Sequence, residues 1–142
     1  MTITATYAGL TRTAALTVTL PTPRASFTVT SPARGADRCV LISGGTQLDC
    51  RLDARGSEGV LVRWSWVLEA VERIVTQKSE PIFAEIDTQC RLVNGANAST
   101  DNQGDRYVNM TISLEVTDRD GSTSSPSRKT VRLYTNNNCN VS

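Results

Sequence analysis

"YVNMTISLEVTD", residues 107–118, is the stretch on which the fold turns. Val108, Met110, Ile112, Leu114 and Val116 occupy every second position, with Asn109, Thr111, Ser113 and Glu115 between them. Successive side chains of a strand point to opposite faces, so this alternation predicts one apolar and one polar face. A helix would spread the same residues around its circumference.

Outward from this strand the same period recurs. "DRDGSTSSPS" (118–127) reads as a turn, and "RKTVRLYT" (128–135) as a closing strand with Val131 and Leu133 inward. Upstream, "VLVRWSWVLEA" (60–70) places Val62, Trp64, Trp66 and Leu68 on one face and Arg63, Ser65 and Glu69 on the other. "TQLDCRLDA" (46–54) is a strand ending in the turn "RGSEG" (55–59), and "ASFTVT" (25–30) aligns Ala25, Phe27 and Val29. Residues 67–80 fit a helical turn or two by spacing, but Ile74-Val75-Thr76 and the Trp strand before them favour extended structure. "PIFAEIDTQCRLV" (81–93) reads as a further strand region, and the polar "NGANASTDNQGDR" (94–106) as a loop. Repeated short strands with few helix cues predict an all-β sandwich. Its core is expected to hold Phe27, Leu48, Cys50, Leu52, Trp64, Trp66, Met110, Ile112, Leu114, Val131 and Leu133.

The first twenty residues stand apart. Ile3, Ala5 and Tyr7 alternate with threonines, and after "AGLTR" come Ala14, Leu16, Val18 and Leu20. This predicts a hairpin over 1–20, followed by a "PTP" linker over 21–24, because proline supplies no N–H to a ladder. The sandwich is expected over 25–142. An isolated hairpin is marginal in water. Ile3, Ala5, Tyr7, Leu16, Val18 and Leu20 are therefore candidate assembly residues, able to add strands to a neighbour.

Composition narrows the chemistry. The chain carries 15 basic and 14 acidic residues, a net charge of +1 and no His. That balance offers nothing to nucleic acid or an anionic membrane, and the lack of His removes the usual general base and zinc ligand. All the basic residues except Lys78 and Lys129 are Arg, scattered along the chain, which reads as a well-paired surface. No apolar run approaches a membrane span, and no signal-peptide pattern follows Met1, so an export signal is expected on sequence outside this chain.

Cys39, Cys50, Cys90 and Cys139 form no C-x-x-C pair, which argues against zinc. Four cysteines allow three disulfide connectivities. Cys50 shares the phase of Leu48 and Leu52 and faces the core; Cys90 is its expected mid-chain partner, leaving Cys39 and Cys139 to flank the module. Disulfides imply an oxidising compartment; the alternative is four buried thiols in a cytosolic protein.

Several motifs now resemble a family. "CRLDARGSEG", "VRWSWVLEA", "LEVTDRDG" and "KTVRLY", in that order, look like a PKD-type (polycystin-repeat) immunoglobulin-like domain over about residues 24–135. Asp53-Ala54, Ser57, Trp66, Val116-Thr117-Asp118, Gly121 and Val131 match its pattern, while "VLEAVE" stands where that family has "W-D-F-G-D-G" after the Trp. The opening "TITATYAGLTRTAALTVTLP" resembles the last two strands of a bacterial Ig-like repeat. Together these resemblances imply a piece of a tandem array: a preceding module's final hairpin, a linker and the next module.

Chemical sites are weighed against blander readings. "DRDG" (118–121) lacks the EF-hand pattern and reads as a turn. Asp49, Asp53, Glu69 and Glu115 fall on outward phases, with nothing to set two across one cleft. Trp64 and Trp66 share a phase with Val62 and Leu68, so core packing is favoured over a sugar-stacking platform. Lys129 is the only sensible donor for an isopeptide bond, and Asn97, Asn109 and Asn140 open glycosylation sequons that arise readily by chance. No catalytic, cofactor or metal site is expected. The expected function is a non-enzymatic structural or adhesive module of an exported or cell-surface bacterial protein, facing neighbouring Ig-like modules or protein surfaces. The alternatives are a self-assembling filament or pilus-like subunit completed by residues 2–20, and an accessory binding domain of a secreted hydrolase.

Overall fold

The computed structural model of the protein describes residues 2–31, 38–42, 47–85, 93 and 97–135. Its elements are strands: β1 (Thr2–Tyr7), β2 (Leu10–Ala15), β3 (Thr28–Thr30), β4 (Arg38–Ile42), β5 (Gln47–Asp53), β6 (Leu61–Ala70), β7 (Arg73–Lys78), β8 (Ile82–Glu85), β9 (Ser99–Thr100), β10 (Arg106–Asp118) and β11 (Ser127–Thr135). β1 and β2 form a separate two-stranded sheet. The other strands follow one path, β3-β5-β4-β11-β10-β6-β7, with β8 paired to β5 and β9 to β10.

The path folds into two layers at β4. Leu41 and Ile42 pair antiparallel with Leu48 and Gln47 of β5, while Arg38–Leu41 pair parallel with Arg132–Thr135 of β11. One layer is β3, β5 and β8, with Leu52 paired to Val29 on one edge and Phe83 on the other. The opposing layer is β11, β10, β6 and β7. Trp66 on β6 meets rings of the first layer edge-on, Phe27 at 5.1 Å and Phe83 at 5.2 Å. The result is the all-β sandwich expected from the alternation, with the last two strands and the Trp strand sharing one sheet.

Each layer buries its inward phase. Leu48, Cys50 and Leu52 of β5 and Val108, Met110, Ile112, Leu114 and Val116 of β10 are all buried, as are Val131 and Leu133 of β11. On β6, Trp66, Leu68 and Ala70 are buried, Trp64 is half-buried against the core, and Val62 is exposed. The expected inward position of Val62 is corrected by a bulge: Thr117 pairs with Arg63 but Asp118 with Leu61. Val62 is the extra residue, and the bulge turns Leu61 toward the core in its place.

Residues 67–80 are extended. β6 and β7 form a hairpin in which Ala70 pairs with Arg73. Val71 and Glu72 make the two-residue turn, at φ 52° and 58°. Such a turn needs positive φ at both positions and favours Asn-Gly, so a β-branched residue and a Glu here are strained.

The disulfide expectation is also corrected. Cys39 is bonded to Cys50, so neither Cys50–Cys90 nor Cys39–Cys139 forms; Cys90 and Cys139 lie outside the described residues. The pairing follows from register. With Leu41 opposite Leu48, Cys39 falls opposite Cys50, at the point where β4 leaves β5 for β11. Cys39 pairs with Leu133 of the second layer, so the bond staples the two layers at the strand that joins them.

Pro23 is buried, and Arg24 exchanges both backbone hydrogen bonds with Glu58. Ser57 Oγ donates to the Ser26 carbonyl and accepts from its N–H. The chain therefore joins the sandwich from Pro23 onward. Gly59, at φ 119°, lies under Pro23, where an added Cβ would come within 3.3 Å of the Pro23 Cα.

Candidate functional site

The described residues present two surfaces of interest: the β1–β2 hairpin, and the outward face of β4, β11 and β10.

The hairpin has six consecutive pairs, from Tyr7↔Leu10 to Thr2↔Ala15. Its turn is Ala8-Gly9, both at positive φ (49° and 78°), the geometry whose twist suits a two-residue hairpin. Directly paired residues share a face. One face carries Ile3, Ala5, Tyr7, Leu10, Arg12 and Ala14; the other carries Thr2, Thr4, Thr6, Thr11, Thr13 and Ala15. Every strand residue is exposed, with Tyr7 86% and Leu10 66% accessible. The strand predicted to run to Leu20 ends at Ala15, which pairs with Thr2 at the start of β1. Leu16, Val18 and Leu20 thus lie on the connecting segment rather than beside Ile3, Ala5 and Tyr7; Leu16 and Val18 are exposed and Leu20 is half-buried. Leu10 and Arg12 belong to the apolar face in their stead. The Ala-Gly pair between two alternating runs was the sequence signal for that register.

On the outer sheet face, Arg132 pairs with Asn109 of β10 on one side and Arg38 of β4 on the other. Its guanidinium lies 4.7 Å from the centre of the Tyr107 ring, and that of Arg38 lies 5.7 Å from the Tyr134 ring. The two tyrosines are cross-strand partners with centroids 5.5 Å apart. Tyr134 Oη donates to Asp101 Oδ2 at 3.1 Å. Asp101 Oδ1 accepts from the backbone N–H groups of Gln103 and Asp105. Burial pushes the Asp101 carboxyl up, but these donors and the charge of Arg38 outweigh it, so its net shift is downward. A hydrogen bond with Tyr134 holds the Arg132 guanidinium above its usual range. Arg38 and Arg132 are 94 positions apart in sequence, so their juxtaposition leaves no local pattern.

Other candidates resolve into structural roles. Asp118 is buried, and its Oδ1 accepts from the N–H groups of Asp120 and Ser122, with Gly121 at φ 86°; the "DRDG" segment is a turn. Asp49 accepts from Val40 N–H at 2.6 Å and Ser31 Oγ at 3.4 Å, and Asp53 binds Arg55 through Oδ1 and Oδ2. These two lie on β5, whereas Glu69 and Glu115 stand on the opposing layer, so the structure does not bring the four together. Trp66 is 1% accessible, and its Nε1 donates to the Glu80 carbonyl. The Nε1 of Trp64 is buried without a partner among the described residues. Lys129 Nζ sits 5.2 Å from the Phe27 ring centre. Asn97 and Asn109 are exposed, and Asn140 lies outside the described residues. Among the described residues no cluster of His, Cys, Asp or Glu is arranged to hold a metal, and no helix is long and apolar enough to cross a membrane.

No family model matches the chain, and no curated protein or solved structure matches it either.

Proposed function

We propose that this chain is a non-catalytic structural or adhesive module of an exported or cell-surface protein, with a PKD-type immunoglobulin-like sandwich and the final hairpin of a preceding module. The observation that carries this reading is the contrast in burial along the chain. The sandwich covers its own apolar faces and is stapled by Cys39–Cys50, whereas every strand residue of the β1–β2 hairpin is exposed. An isolated two-stranded sheet with an uncovered apolar face is marginal in water, which supports reading it as part of a larger core. The disulfide supports an oxidising compartment.

The exposed Ile3, Tyr7 and Leu10 favour a second reading, in which the hairpin completes a neighbouring copy and the chain is an assembly subunit. Light scattering on the full chain and on a chain lacking residues 2–21 separates the two. Equal monomeric masses and equal melting temperatures support the tandem module. Association that requires residues 2–21 overturns it in favour of self-assembly.

A further inference from the structure

We propose that Arg38 and Arg132 form a two-guanidinium clamp for the carboxylates of an acidic polysaccharide, on the outer face of β4, β11 and β10. Like charges directly opposite on neighbouring strands destabilise a sheet. Arg38 and Arg132 are such a pair, and among the described residues neither has a carboxylate within ion-pair distance. Asp101 acts on both guanidinium groups through its charge, one negative charge against two positive ones. Each guanidinium is also laid against a tyrosine ring, which orients its plane and restricts its rotamers before any ligand arrives.

The surroundings suit an acidic sugar. A guanidinium fork binds a carboxylate through two parallel hydrogen bonds, and neighbouring strands set the two forks about 4.8 Å apart at the backbone. Exposed Asn109 and Thr130 share the face with Arg132 and offer amide and hydroxyl groups to sugar hydroxyls. The nearby carboxylate of Asp101 is already engaged by Tyr134 Oη and two backbone N–H groups, and it holds the Tyr134 ring under Arg38. Two cations on a chain of net charge +1 make a local anion site, not the broad basic field that a nucleic-acid backbone requires. This goes beyond the module reading and holds whether the hairpin is a remnant or an assembly arm, because the clamp lies wholly on the sandwich.

The test is affinity electrophoresis of the full chain through gels containing polygalacturonate, neutral dextran or duplex DNA. The expected result is retardation by polygalacturonate alone, weakening as salt rises. Arg38→Ala and Arg132→Ala each lower apparent affinity by about tenfold or more, the scale of a lost charge-assisted bidentate contact. Arg132→Lys keeps the charge and loses the fork, and it also binds more weakly. Arg63→Ala, at an exposed arginine of β6, migrates as the parent does. Tryptophan fluorescence from Trp64 and Trp66 reports whether each variant is folded; should an alanine variant not fold, Arg132→Lys and Arg38→Gln carry the test. Absence of retardation, retardation unchanged in the Arg38 and Arg132 variants, or equal retardation by dextran or DNA overturns the proposal.

Discussion

The hairpin at 2–15 and the strand at 106–118 share one sequence pattern and meet opposite fates. Both alternate apolar with polar residues along their strands. In β10 the apolar phase is sealed, with Met110, Ile112, Leu114 and Val116 at 0% accessibility. In β1 the same phase leaves Ile3 49% and Tyr7 86% accessible. Alternation therefore specifies that a strand has two unlike faces. Whether a second layer covers one of them is a separate fact, and it distinguishes the buried strands of the sandwich from a hairpin held by six cross-strand pairs.

The sharpest way to break this contrast is to truncate one aromatic residue in each region. Trp66 sits between Phe27 and Phe83, so Trp66→Ala is expected to cost about 3–5 kcal/mol in denaturant unfolding. Tyr7→Ala is expected to change global stability by less than about 0.5 kcal/mol. A comparable loss at Tyr7 would mean that the hairpin packs in solution.

The staple is the next largest effect. Cys39–Cys50 spans 11 residues, a loop for which restriction of the unfolded chain contributes about 2–3 kcal/mol. Replacing both cysteines by Ala is expected to lower the unfolding midpoint accordingly. Amide exchange in the hairpin should stay fast in both proteins, and a change there would couple the two regions.

The two hairpin turns sharpen the contrast further. Ala8-Gly9 has glycine at its second positive-φ position, whereas Val71-Glu72 has none. Glu72→Gly is expected to stabilise the sandwich by about 1 kcal/mol by relieving left-handed strain, read as a raised melting temperature. Gly9→Ala should speed amide exchange in β1 and β2 and leave that temperature unchanged.

The smallest effect is electrostatic. Hydrogen bonds from the Arg55 side chain and backbone hold the Asp53 carboxyl down at about 2, from an ordinary 3.8. A lowered folded-state value means that its contribution is present above about pH 4 and is lost as pH falls toward 2. Because Arg55 is 64% exposed, solvent screening keeps this below about 1 kcal/mol. Asp53→Asn should lower stability slightly at pH 7, with the difference closing between pH 4 and pH 2 in melting curves.

How far the sequence could be read shows in particular residues. Phe27, Leu52, Ile112 and Leu133 declare their faces by spacing alone, since side-chain direction in a strand repeats every two residues whatever lies across from it. Val62 did not, because a single bulge against β10 shifts the phase of the strand's first residues, and nothing local marks it. Cys39 and Cys50 lie symmetrically about Gly44-Gly45, a hairpin cue that pairs them, whereas the positions of Cys39 and Cys139 at the module's two ends suggest a different pair. The Arg38–Arg132 pair had no cue, since its members come from neighbouring strands that lie far apart in the sequence.

By itself, then, the sequence determined where the strands run, which side of most of them is apolar, and that chemistry built on histidine is absent. Only the tertiary structure decided that β4 joins both layers, that its cysteine bonds to Cys50, that two arginines sit opposite each other on β4 and β11, and that the hairpin stays uncovered. The physical reason is range. Pleat and periodicity are properties of consecutive residues, whereas pairing, register and burial depend on which edges and faces meet, and the loops that bring them together put no pattern on either side.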